Sequence, residues 1–110
     1  MSEIAHTLDI AEGWYGSQND EAAFFEWLGK ISCVSGYRGC HENGADLVRV
    51  DLTTSAPNDA DLRDLIALHH RYRRDMTSLA QFRTEQNETW FGDPQKYWFG
   101  AVFGSAVVKG

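Results

Sequence analysis

The chain has 110 residues, of which 43% are apolar and 24% are charged, a length and composition that suit one globular domain and exclude a disordered chain. Its formal net charge is −6, and only ten residues are Lys or Arg. Because a protein that binds a phosphate backbone needs a dense basic surface, this balance argues against a nucleic-acid partner. We therefore expect a single domain over residues 1–110 that does not bind nucleic acid.

The N-terminal segment, MSEIAHTLDIAEG, has neither the basic start nor the apolar stretch of a signal peptide. No other stretch approaches the roughly 18 apolar residues that a membrane span needs. The sequence therefore predicts a cytoplasmic protein with no membrane partner. Because thiols stay reduced in the cytoplasm, we do not expect a disulfide between Cys33 and Cys40.

The first third of the chain predicts a strand followed by a helix. Residues 3–11 alternate between apolar and polar side chains, which is the period of a half-buried strand. Ser17 or Asn19 can cap a helix that begins with the acidic residues Asp20 and Glu21. At helical spacing, one broad apolar face contains Phe24, Phe25, Trp27, Leu28 and Ile31.

The dipeptide Asn43-Gly44 predicts a two-residue type I′ turn between two strands. In this register Arg38 lies opposite Arg49. The face predicted to point to the core contains Tyr37, Val48, Val50 and Leu52. The face predicted to be at least partly in solvent contains Arg38, Cys40, Leu47, Arg49 and Asp51. Extended geometry would separate the two cysteines by roughly 23 Å, too far for a disulfide.

A second helix follows, capped by Ser55 or Asn58. Its apolar face contains Leu62, Leu65, Ile66, Leu68, His69 and Tyr72. Three basic residues, Arg71, Arg73 and Arg74, come at its C-terminal end, where the helix dipole stabilises cations. The basic cluster therefore has a structural explanation.

The spacing of residues 75–83 fits both a strand and a helix. We predict a strand, because the preceding helix needs a sheet to pack against and the chain would then return to that sheet. Asp93-Pro94 predicts the start of a short helix that buries Trp98 and Val102 and ends at Gly104. The order β-α-β-β-α-β predicts a ferredoxin-like antiparallel sheet with helices on one face and an extra C-terminal helix. Another α+β sandwich is the alternative.

No common nucleotide-binding, protease or metal motif is present, so the sequence predicts no cofactor. Cys33, Cys40, His41 and Glu42 include zinc-ligand types, but their spacing and strand alternation argue against a metal site. His69 lies at the centre of the apolar face of its helix, which favours a hydrogen-bonded core histidine over a buried general base.

Trp14 and Tyr15 lie between glycines in the loop that joins the first strand to the first helix, with acidic residues on both sides. Rigid aromatic side chains carry much of the binding energy at protein interfaces, so an exposed ring here would suit a basic protein partner. The position of Trp14 slightly favours the other interpretation, in which its ring folds back over one end of the sheet. The predicted partner-binding residues are Glu12, Trp14, Tyr15, Asp20, Glu21 and Glu26.

The string DLRDLIALHHRYRRDM, followed by WFGDPQKYWFGAVFG, resembles small bacterial proteins of toxin-immunity loci. This resemblance implies a small acidic cytoplasmic protein that binds a toxin domain stoichiometrically and inhibits it. It assigns no site residue, and it leaves the oligomeric state open.

The alternative function is a small enzyme or ligand-binding domain. It would use the sheet face that contains Arg38, Arg49 and Asp51, with His6 or His69 as an acid or base. Because this function needs titratable groups that converge on a pocket, the sequence favours the binding protein.

Overall fold

A computed structural model describes residues 4–104 of the chain. Its strands are β1 (His6–Ala11), β2 (Val34–Glu42) and β3 (Ala45–Leu52), and its helices are α1 (Gln18–Lys30), α2 (Asp59–Arg71), a 3₁₀-helix (Thr77–Phe82), α3 (Glu88–Phe91) and α4 (Phe99–Phe103). The strands form one antiparallel sheet in the order β1-β3-β2. The predicted α+β class is therefore confirmed.

The predicted hairpin register is also confirmed. Asn43 and Gly44 adopt φ angles of 53° and 78°, which a type I′ turn requires, and Arg38 pairs with Arg49 while Cys40 pairs with Leu47. This register gives the sheet one buried face, formed by Leu8, Ile10, Val48, Val50 and Leu52. The opposite face is open to solvent.

Helices α1 and α2 cover the buried face of the sheet. Ser17 caps α1 and Asn58 caps α2, since each side chain accepts a hydrogen bond from the backbone N–H three residues later. The apolar face of α2 is buried throughout, as predicted. On α1, Phe24 and Leu28 are fully buried, whereas Phe25 and Trp27 are only partly covered. One hydrophobic core joins these helices to the sheet.

The predicted strand at residues 75–83 is wrong, because this segment contains the 3₁₀-helix Thr77–Phe82. The Asp75 carboxylate accepts hydrogen bonds from the backbone N–H and the hydroxyl of Thr77, at 3.0 and 2.8 Å. Residues three apart share a face of a 3₁₀-helix, so Leu79 and Phe82 both enter the core. This segment therefore adds no fourth strand, and the βαββαβ order is not confirmed.

The C-terminal helix starts later than predicted. The Asp93 carboxylate accepts a hydrogen bond from the backbone N–H of Gln95, at 2.9 Å, which stabilises a turn, and α4 begins only at Phe99. Trp98 and Val102 are buried as predicted. Gly104, with φ of 92°, ends α4.

The N-terminal strand is shorter than predicted, since β1 begins at His6. Ile4, expected on the apolar side, is exposed, and Glu3 lies outside the described residues. Cys33 and Cys40 are free thiols, as expected, and burial raises the pKa of the Cys33 thiol to about 11. None of the helices within residues 4–104 is long and apolar enough to cross a membrane.

Candidate functional site

The loop between β1 and α1 points its two aromatic side chains in opposite directions. Tyr15 packs against the core, with its ring centroid 5.6 Å from that of Phe24 and 6.3 Å from that of Tyr72. Trp14, by contrast, is 80% exposed. The Trp14 ring therefore does not fold over the end of the sheet, and it is free to contact another molecule.

A buried arginine holds the first half of this loop. The side chain of Arg74 is only 6% exposed, and its guanidinium carbon lies 4.7 Å from the ring centre of Tyr15 and 5.3 Å from that of Phe24. Its Nη1 donates a hydrogen bond of 2.9 Å to the carbonyl of Tyr72. A Cβ atom at Gly13 would overlap this guanidinium. Glycine at position 13 therefore allows the loop to lie directly on Arg74.

The second half of the loop is held by the first turn of α1. The Asp20 carboxylate accepts a hydrogen bond from the backbone N–H of Gly16, at 2.8 Å. The backbone N–H of Asp20 in turn donates to the Ser17 hydroxyl, at 3.2 Å. Asp20, predicted to contact the partner, thus has a structural role at the base of the loop. Trp14 consequently lies between two fixed ends.

Two of the predicted acidic residues lie close to this loop. Burial raises the pKa of the Tyr15 hydroxyl and Arg74 opposes this change, whereas the charges of Glu12 and Glu21 raise the pKa further. Both acidic side chains are exposed. Glu26 lies nearly two turns beyond Asp20 along α1, where it pairs with Lys30 at 3.7 Å. The structure therefore leaves Glu12, Trp14 and Glu21 exposed at this loop, packs the predicted contact residue Tyr15 against the core, and separates Glu26 from them.

Two basic residues that were not predicted lie beside Trp14. A cavity of about 300 Å³ is lined by Trp14, Asp20, Arg71, Tyr72 and Arg73. Arg71 is the last residue of α2, and Arg73 follows it with a φ of 57°. From the sequence, both arginines were explained by their position at the C-terminal end of the helix. No sequence pattern indicated that this end lies beside the Trp14 loop. The surface around Trp14 therefore carries both signs of charge.

The open face of the sheet carries paired charges. Arg38 contacts the Asp51 carboxylate at 3.0 Å. Arg49 lies between two carboxylates, at 2.8 Å from Asp9 and 2.9 Å from Glu42. Hydrogen bonding to Arg49 lowers the pKa of both Asp9 and Glu42. Both arginines of the alternative site are thus already bound to carboxylates.

The structure does not bring the candidate histidines to this open face. His6 pairs with Leu52, so its side chain lies on the buried side of the sheet, where its ring packs against Phe82 with centroids 5.9 Å apart. His69 lies in the core on α2. The residues of the alternative enzyme hypothesis therefore do not converge.

His69 is a core histidine, as predicted, and it is 1% exposed. Its Nδ1 lies 2.7 Å from the carbonyl oxygen of Leu65, and because a carbonyl can only accept, Nδ1 carries the proton. Within the described part of the chain, its Nε2 is buried without a hydrogen-bond partner. Burial lowers the pKa of His69, and the charge of Arg74 lowers it further, although the bond to Leu65 opposes this change. His69 is therefore neutral at pH 7.

This lowered pKa predicts an acid-sensitive fold. The ordinary pKa of histidine is about 6.5. As the pH falls below this value, His69 binds a proton in the unfolded chain but stays neutral in the folded protein. Stability is therefore lost as the pH falls, at up to about 1.4 kcal/mol per pH unit for this one group. Chemical denaturation of wild type and His69→Gln between pH 7 and about pH 5 measures this difference.

His70→Gln is the matched control, because His70 is exposed. We expect the His69→Gln profile to be flatter than the profiles of wild type and His70→Gln. Equal slopes for wild type and His69→Gln would contradict the assignment of a neutral core histidine.

Among residues 4–104, no group of three or more His, Cys, Asp or Glu side chains is arranged to hold a metal ion. Comparisons of the chain with protein-family models, with curated proteins and with solved structures found no match. The function must therefore be argued from the surface of the molecule itself.

Proposed function

We propose that this protein is a binding module, and specifically a stoichiometric immunity or inhibitor protein that neutralises a basic toxin domain. The observation that carries the proposal is Trp14, which is 80% exposed on a loop held at both ends. An exposed tryptophan on a fixed loop loses little conformational entropy on binding. It therefore suits the role of an interface anchor.

The charges around the loop support a basic partner. The exposed carboxylates of Glu12 and Glu21 and the net charge of −6 would attract a cationic domain and speed its association. Arg71 and Arg73 line the cavity beside Trp14. The partner is therefore expected to have an acidic or polar group next to the pocket that receives Trp14. This mixed pattern would give the interaction specificity as well as speed.

The test begins with immobilised wild-type protein and a lysate of the source cells, followed by purification of each retained protein. Binding is then measured by surface plasmon resonance for wild type and Trp14→Ala. We expect the variant to lose about 2 kcal/mol of binding free energy, or roughly thirtyfold in affinity. Tyr97→Ala is the control, since Tyr97 is 60% exposed and does not line the Trp14 cavity.

Two further measurements separate this proposal from incidental binding. The association rate constant should fall as salt increases, because steering by Glu12 and Glu21 is screened. The retained partner should arrest cell growth when expressed alone, and co-expressed wild type, but not Trp14→Ala, should restore growth. Equal binding of wild type and Trp14→Ala, or an association rate indifferent to salt, would contradict the mechanism.

Gly13→Ala probes the loop without removing its tryptophan. The added methyl group must displace the guanidinium of Arg74, which disturbs the base on which the loop lies. We expect an affinity between those of wild type and Trp14→Ala. Gly29→Ala is the matched control, because no atom of residues 4–104 lies within 4 Å of a Cβ atom at that position.

A further inference from the structure

Among residues 4–104, no strand pairs with the outer side of β2, since the strand order is β1-β3-β2. In a two-residue hairpin the residues that flank the turn, Glu42 and Ala45, exchange both backbone hydrogen bonds, and the pattern then alternates along each strand. Asp46 therefore directs its backbone toward β1, and its carbonyl indeed accepts a bond from the N–H of Glu12, at 3.2 Å. By the same alternation, the residues of β2 whose backbone groups point outward are Tyr37, Gly39 and His41.

This edge lacks several of the features that usually protect a free strand, since its β-bulge lies between Val34 and Gly36, away from the part of β2 near Cys40. Proteins block such edges with proline, lysine or a covering loop, and the sequence of β2, VSGYRGCHE, contains neither proline nor lysine. Arg38, Gly39 and His41 are exposed, and a Cβ atom at Gly39 would meet no atom of residues 4–104 within 4 Å. The outward backbone groups are therefore accessible to another strand.

We propose that the occupant of this edge is β2 of a second copy of the chain, paired antiparallel about a two-fold axis at Cys40. In this register the outward-pointing Gly39 and His41 face each other across the axis and exchange backbone hydrogen bonds. Arg38 of each copy then lies opposite Glu42 of the other. The two copies form one continuous six-stranded sheet.

Charge complementarity selects this register over its neighbours. Arg38 and Glu42 lie two residues on either side of Cys40 on the same face of β2, so a two-fold axis at Cys40 creates two cross-strand pairs of opposite charge. An axis at Gly39 would also match outward groups, but it would place Arg38 opposite Cys40. The strand is thus self-complementary about one residue only.

The same register provides a chemical reporter. The two Cys40 residues form a non-hydrogen-bonded pair, whose Cα atoms lie about 4.5 Å apart, within the range for a disulfide. Because a single strand pairing buries little surface, the dimer should be weak and in rapid exchange. A disulfide between the two Cys40 residues would link the dimer covalently.

The first experiment combines sedimentation with crosslinking. Under reducing conditions, sedimentation velocity over a concentration series should show a reversible monomer–dimer equilibrium. With diamide, the two Cys40 thiols lose two protons and two electrons to the N=N bond of the reagent, which becomes a hydrazine, and a disulfide-linked dimer forms. We expect this dimer in wild type and Cys33→Ser but not in Cys40→Ser. A monomer at every concentration, or crosslinking that survives Cys40→Ser, would overturn the proposal.

The second experiment blocks the edge without touching the hairpin. Gly39→Pro removes an N–H that points away from β3, and proline is tolerated at such edge positions. Circular dichroism should show wild-type folding, whereas sedimentation should show only monomer. Persistence of the dimer in folded Gly39→Pro would contradict strand pairing.

Charge exchange gives a further test that does not depend on proline. Arg38→Glu alone puts two acidic residues opposite each other across the axis and should reduce crosslinking, as should Glu42→Arg alone, which pairs two bases. Because Arg38 and Glu42 also pair with Asp51 and Arg49 of their own chain, circular dichroism first establishes that each variant folds. The double variant restores opposite charges across the axis and should recover crosslinking. Failure of the double variant to exceed both single variants would exclude this register.

Discussion

Replacing Phe24 with Ala is expected to lower the free energy of unfolding by about 3–5 kcal/mol. Phe24 is fully buried, and its ring makes edge-to-face contacts with Phe25 and Tyr72, with centroids 5.0 and 5.1 Å apart. Truncation removes these contacts and leaves a cavity. Since domains of this size are stable by only about 5–15 kcal/mol in total, the variant should be close to unfolding at room temperature.

Chemical denaturation followed by circular dichroism measures this loss. Phe25→Ala is the matched control, because Phe25 is only partly buried and should cost distinctly less. The Phe24 variant should also weaken partner binding, since its ring lies beneath Arg74 and Tyr15 at the base of the Trp14 loop. Equal losses of stability for Phe24→Ala and Phe25→Ala would contradict the central position of Phe24.

Replacing Trp98 with Ala is expected to cost a similar amount, about 3–5 kcal/mol. The Trp98 indole is buried and meets the ring of Trp90 edge-to-face, with centroids 5.9 Å apart. Its N–H donates a hydrogen bond of 2.9 Å to the carbonyl of Phe91. Trp98 therefore ties the start of α4 to α3, and its loss should weaken the attachment of both short helices.

Trp98→Phe separates the two contributions of this side chain. It keeps most of the ring but leaves the carbonyl of Phe91 without its donor, which should cost about 1–3 kcal/mol. Both variants are compared with wild type by thermal and chemical denaturation. A loss below about 1 kcal/mol for Trp98→Ala would mean that α3 and α4 do not belong to the cooperative core.

The parts of the fold that could be predicted depend on short-range signals. Asn43-Gly44 fixes the hairpin register because so few residues tolerate its φ angles. Ser17 and Asn58 fix where α1 and α2 begin, and the apolar spacing of each helix identifies the face that enters the core. Each signal acts within a few residues, so the sequence alone narrowed each N-cap to two residues, of which the structure shows Ser17 and Asn58.

The parts that could not be predicted depend on contacts between distant residues. Residues 75–83 satisfy both strand and helical spacing, and the burial of Leu79 and Phe82 against the core favours the 3₁₀-helix. Arg74 could not be distinguished from Arg71 and Arg73 in the sequence. It is buried because Gly13 lies directly on it, and no local pattern encodes that contact.

The candidate site was predictable to the same extent. Trp14 could be singled out because it lies between glycines and acidic residues, but its exposure follows from the way that Tyr15 and Arg74 hold the loop. The cavity with Arg71 and Arg73 depends on where α2 ends relative to that loop. The basic residues of the surface around Trp14 therefore became apparent only from the tertiary structure.

The ion pairs on the open face have a consequence for how the chain avoids misfolding. Arg49 of β3 contacts Asp9 of β1 and Glu42 of β2, so one guanidinium joins all three strands. If β1 or β2 slid by one residue, its carboxylate, Asp9 or Glu42, would turn toward the apolar core. Arg49 would then lose that ion pair. Although exposed ion pairs add little stability, this one makes mispaired sheets costly, and so it helps to select the native alignment during folding.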